Sequence, residues 1–193
     1  MRRSLYVAAA FAALVLPVAC AKGPAEAALK AADQAIETAR PEIEKYVPEE
    51  FGSLTQAAQA AREKFTQGDY KAALAAAQEI PAKVQAAVEA AKKKKEELTQ
   101  AWSNFKASLP GMVDAFKSKV DAFAAMKKLP KGIDAAKIDA AKTQLAGLGD
   151  AWKAASEALD GGDIPGAVAK ATALKTQVEQ AMAGLPAPPA GKK

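Results

Sequence analysis

The stretch TQGDYKAALAAAQEI, Thr66 to Ile80, joins two helix-like patterns through a Gly-Asp pair. Glycine suits the left-handed residue that closes one helix, and aspartate caps the next helix and favours its positive end. A second stretch, DGGDIPGAVAKATAL at 160–174, aligns with it at an offset of 94. Under that offset Leu54 pairs with Leu148, Ala58 with Trp152, Ala61 with Ala155 and Phe65 with Leu159. Beyond the turn Leu74 pairs with Val168, Ala77 with Ala171, Ile80 with Leu174 and Val84 with Val178. Matching at apolar positions predicts two like hairpins, by duplication or by convergence of alanine-rich turns.

Apolar spacing extends the helical reading along the chain. A first series runs Leu29, Ala32, Ile36, Ala39, Ile43, Tyr46 and stops at Pro48. A second runs Phe51, Leu54, Ala58, Ala61, Phe65 and stops at Gly68. The third gathers Ala73, Leu74, Ala77, Ile80, Val84, Val88, Ala91, Lys95, Leu98, Trp102, Phe105 and Leu109. Pro110-Gly111 is expected to end it, and Val113, Phe116, Val120 and Phe123 form a fourth helix that stops at Leu129-Pro130-Lys131-Gly132. Ile138 to Leu159 make a fifth and Ile164 to Leu185 a sixth. No alternating strand pattern occurs, and high Ala, Lys, Glu, Gln and Leu content favours helix.

The expected fold is therefore all-α: a six-helix antiparallel bundle or hairpin stack of two duplicated three-helix units, 26–108 and 110–185. One long helix over 69–108 connects the halves and would span about 60 Å if straight. Pro81 falls inside it; the unbroken step from Ile80 to Val84 predicts a kink near 77–81 rather than two helices meeting. Trp102, Phe105, Phe116 and Phe123 are expected to pack across the Pro110 turn and give the second half the bulkier core. GDYKAAL resembles the second helix of a tetratricopeptide-like hairpin, although the helices here are longer than that 34-residue unit allows.

The chain opens MRRSLYVAAAFAALVLPVAC, with Arg2 and Arg3 before an apolar run from Leu5 to Leu16 and small residues up to Cys20. A basic start, a short apolar core and small residues make the layout of a secretory signal. A spanning helix needs about 20 apolar residues. The Val-Ala-Cys end resembles the lipobox of bacterial lipoproteins. Val18 and Ala19 suit the two positions before the cut, while Pro17 stands where that family usually has an aliphatic residue. The resemblance implies cleavage of residues 1–19, diacylglycerol and acyl chains on Cys20, and a tether over 20–25. Ala21 in place of Asp implies sorting to the outer membrane, facing the periplasm. Two or three acyl chains hold a protein firmly, where one does not. An ordinary secretory signal and an uncleaved anchor are the alternatives.

Cys20 is the one cysteine of 193 residues, so no intramolecular disulfide forms, and histidine is absent. That leaves no His-based acid–base or nucleophile pair and few transition-metal ligands. Without strands there is no phosphate loop, so no catalytic, cofactor or metal residues are assigned. Formal charge is +5, and +3 without residues 1–19, too mild and too mixed for a nucleic-acid partner. GLPAPPAGKK, Gly184 to Lys193, ends the last helix, with a disordered tail expected over 186–193.

Two features stand out as a partner surface. Lys92, Lys93, Lys94 and Lys95 form the densest charge run, either a basic patch or a solvated stretch beside Glu96 and Glu97. Trp102 and Trp152 sit at stripe positions, as core residues or as an anchor for a ligand or partner. The expected function is a non-catalytic, lipid-anchored scaffold or assembly factor that contacts another envelope protein. A carrier holding a small apolar ligand or lipid between the units is the alternative, with a carboxylate-only enzyme a distant third.

Overall fold

The computed structural model describes residues 21–186, of which 88% are helical and none is in a strand. The signal stretch, Cys20 and residues 187–193 of the tail lie outside the described residues. Five helices follow in order: α1 (Lys22–Tyr46), α2 (Pro48–Thr66), α3 (Tyr70–Ala124), α4 (Ala135–Asp160) and α5 (Ile164–Gly184). They form two compact units, one ending at Lys94 and the next beginning at Lys95.

The first unit contains α1, α2 and the opening part of α3. Ala32, Ile36 and Ile43 of α1 meet Leu54 and Ala58 of α2 and Ile80, Val84 and Ala87 of α3. Leu29, Ala61 and Ala77 continue the same layering towards the Gly-Asp turn. Many of the buried positions are alanine, so large side chains alternate with small ones and the helices approach closely. Val47 alone joins α1 to α2, with Pro48 at the first position of α2, where a missing N–H costs nothing. Two side chains tie these helices across the surface: Arg40 lies 4.8 Å from the Phe51 ring centre, and Arg62 donates to Asp33.

The second unit contains the rest of α3 with α4 and α5. Its core is bulkier, as the aromatic content of its sequence suggests, and Phe116 and Phe123 are its largest fully buried side chains. Leu109, Val120, Ile138, Leu148, Leu174 and Val178 pack with them. Lys119 closes the unit by donating from Nζ to the Met182 carbonyl at 2.9 Å, where the last turn of α5 lacks helical donors.

Five helices stand where six were expected, because Pro110-Gly111 does not break α3. Trp102, Leu109, Phe116 and Phe123 recur every seven residues on one buried stripe, and that stripe continues through the proline. The aromatic set is thus aligned along one helix and does not pack across a turn. Pro81 and Pro110 both lie on the exposed side of α3, and Pro41 does so in α1, so none of the rings displaces core. Helix α1 also begins inside the stretch read as a tether. Gly23 and Pro24 occupy its first turn, where N–H groups have no helical partner to lose.

The two Gly-Asp turns agree bond by bond. Gly68 donates to the Phe65 carbonyl and Asp69 to that of Lys64; Gly162 donates to Leu159 and Asp163 to Ala158. This pair of bonds is the Schellman closure, and both glycines hold the positive φ it requires, +84° and +79°. Each aspartate then caps the next helix, Asp69 accepting from Ala72 N–H at 3.0 Å and Asp163 from Gly166 N–H at 2.9 Å. After the turns six buried positions coincide at the same offset, Ala73, Ala77, Ile80, Val84, Ala87 and Ala91 against Ala167, Ala171, Leu174, Val178, Ala181 and Leu185, while Val168 is buried where its match Leu74 is partly exposed.

Phe116→Ala is expected to cost about 3–5 kcal/mol of unfolding free energy. Asp69→Ala and Asp163→Ala should each cost about 1 kcal/mol through loss of the cap. Gly162→Ala should cost about 1–2 kcal/mol through its left-handed backbone. Urea denaturation followed by circular dichroism checks all four, and equal stability of the Asp163→Ala protein would contradict the capping account.

Candidate functional site

Lys92 to Glu97 are six consecutive exposed residues, and α3 buries no side chain between Ala91 and Trp102. The interruption expected at Lys95 is thus present, because the stripe of the first unit ends there and that of the second has not begun. Lys92 pairs with Glu89 one turn back at 2.9 Å, which raises its ammonium pKa. Glu96 and Glu97 follow at once and offset part of the lysines' charge, and salt screens the remaining field beyond about 10 Å. This is the pattern of a solvated helix face.

Trp102 and Trp152 come together. Their ring centres are 5.2 Å apart and their planes differ by 2°, a parallel stack between α3 and α4. Trp102 is buried and Trp152 partly exposed, so the pair has an apolar body with one face towards solvent. Both rings belong to the core of the second unit, against which Leu98, Ala101 and Phe105 of α3 and Leu159 of α4 also pack. The position that matches Trp152 in the first unit is Ala58, 3% exposed. The stack is therefore a feature of the second unit alone, added at a register position that the first fills with a methyl group.

A groove of about 730 Å³ runs between α4 and α5, with Gly147, Leu148 and Ala181 among its lining residues and Gln144, Gln177 and Gln180 on its rim. Lys137 is the one charged residue that lines it. Small side chains line most of it, and amides give it hydrogen-bonding capacity without a carboxylate.

A third feature reads in the sequence only as a helix stop. Lys127, Lys128 and Lys131 are exposed in the segment that joins α3 to α4, beside partly exposed Met126, Leu129 and Pro130. The signal that marks it is a lack of acid: no Asp or Glu occurs from 122 to 133. The run Lys92 to Lys95 is denser in lysine but has acid on both sides, so its net charge is the lower.

Among the described residues no group of three or more His, Cys, Asp or Glu side chains could hold a metal ion. No described helix is long and apolar enough to cross a membrane. Compared with known protein families, curated proteins and solved structures, the chain matches none.

The stack makes a spectroscopic prediction. Parallel indoles this close couple their transitions, so the native protein should show an exciton feature in circular dichroism that either Trp102→Phe or Trp152→Phe abolishes. Trp102→Ala should cost about 3–5 kcal/mol as a core truncation. Trp152→Ala, which installs the residue of the first unit, should cost less because its ring is partly exposed.

Proposed function

We propose that this protein is a non-catalytic binding or scaffolding module of the bacterial cell envelope, held to the outer membrane by lipid on Cys20 and facing the periplasm. The anchor rests on the basic, apolar and small-residue order of residues 1–20 and its Val-Ala-Cys end. With neither histidine nor a second cysteine in the chain, lipid attachment is the use of that thiol that fits its place.

The binding role is carried by one observation, the repeated hairpin. Two turns share every backbone bond and both caps at an offset of 94, and six buried positions after them coincide. We read this as duplication of one three-helix unit. Helical repeats commonly present exposed helix faces to peptides or other helices, and specificity arises where the copies differ. Here they differ most at Ala58 and Trp152. A stacked tryptophan pair with Trp102 buried and Trp152 partly exposed is the kind of anchor that partner proteins cover, and it favours Trp102 and Trp152 over Lys92 to Lys95 as the centre of a partner surface. The alternative is a small apolar ligand or lipid carrier, for which the α4–α5 groove is the place with room.

Two measurements test the reading. The Cys20→Ser protein should leave the membrane fraction for the soluble one; retention in detergent-free membranes would contradict the anchor. A photo-crosslinking amino acid at exposed Lys153, one residue from Trp152, should capture one discrete envelope protein in living cells, and Trp152→Ala should weaken that capture about tenfold, as loss of an anchor contact does. Purified protein that retains a ligand in native mass spectrometry, with no crosslinked protein, would favour the carrier instead.

A further inference from the structure

We infer that the α3–α4 segment of the second unit, with Lys127, Lys128 and Lys131, is a docking surface for an anionic phospholipid membrane. Three lysines fall within five residues, all exposed, and the nearby carboxylates are already engaged. Asp121 holds Lys117 at 2.7 Å. Asp134 caps α4 by accepting from Lys137 N–H at 2.8 Å. Glu179, the last acid of α5, lies 3.7 Å from Lys175. The other local cations are occupied too, Lys119 on the Met182 carbonyl and Lys137 on that of Gly132 at 2.6 Å. What faces outward is a positive tip with no acid of its own.

The segment is built to hold its lysines out. Ile133 is buried and anchors its end, and Ile133 N–H donates to the Pro130 carbonyl at 3.1 Å. Gly132, at φ +89°, closes that turn, and Lys131 occupies its corner. Met126, Leu129 and Pro130 keep apolar edges partly exposed between the charges, as suits a boundary where headgroups meet acyl chains.

A membrane fits this chemistry better than an acidic protein. The cations are all lysine, and the only described arginines, Arg40 and Arg62, belong to the first unit and are paired. Lysines act as mobile point charges on a diffuse anionic surface, whereas carboxylate recognition at an interface favours the planar fork of arginine. The choice of lipid rests also on the proposed membrane location, which puts anionic headgroups within reach.

Residues 20–193 with Cys20→Ser carry all five helices and no lipid, so vesicle binding by this protein reports on the surface alone. It should co-sediment with phosphatidylcholine vesicles only when phosphatidylglycerol is included, and added salt should release it. Each lysine at an anionic surface contributes a factor of roughly five, so K127Q/K128Q/K131Q should weaken binding about 100-fold. The control K92Q/K93Q/K94Q removes the same charge and should change binding less than about threefold, since Glu89, Glu96 and Glu97 flank its run. Equal binding to neutral and anionic vesicles, no binding to either, or equal losses in the two triple variants would overturn the inference. Because the thiol is absent throughout, none of these results bears on the lipid anchor, which fractionation of the Cys20→Ser protein in cells tests by itself.

Discussion

Everything in this fold depends on α3, a helix of 55 residues whose apolar stripe is buried up to Ala91 and again from Trp102. An alanine-rich helix has little to bury, and its isolated stability is marginal without tertiary packing. Proline in a helix interior costs about 3 kcal/mol, and α3 contains two. Against that, Leu109, Phe116, Val120 and Phe123 are all buried, at about 1.5–3 kcal/mol each. Their combined burial exceeds the cost of one proline, so the helix passes through Pro110. The same stripe explains why the chain makes two units. Its buried residues stop at Ala91 and resume at Trp102, and each set can be covered only by its own pair of helices.

Much of this is legible in the amino-acid sequence, because the stripes are. Helix ends can be read wherever a residue has a backbone reason to stop a helix: Pro48 after Tyr46, and the Gly-Asp pairs at 68–69 and 162–163. Pro110 misleads because its local penalty is visible in the sequence and the packing that outweighs it is not. The start of α1 misleads for a related reason, since Gly23 and Pro24 break helices only beyond the first turn. Spacing places Trp102 and Trp152 on stripes, but not against each other, because a period says which face is buried and not which helix covers it. The lysines of 127–131 are easily passed over when charge is weighed by its density instead of its balance with neighbouring acid.

The two units are the same in closure, capping and register and different in what they show to solvent. In the first, Ala58 is buried and the described arginines are spent on Asp33 and Glu37. In the second, the matching position carries Trp152, and ten residues where the first unit has only Val47 carry three lysines. If one unit was copied, the framework was kept and the additions fell on the second. That division suits the proposed arrangement, in which the first unit follows a lipid anchor and the second meets other components.

The central claim, that this helical module is presented on lipid, is tested most directly by intact mass spectrometry of the protein extracted from its own membranes. The expected result is a chain beginning at Cys20, heavier than the sequence by a diacylglycerol group and acyl chains, all of it on that residue. A chain that retains residues 1–19, or begins at or before Cys20 with its thiol free, would contradict it.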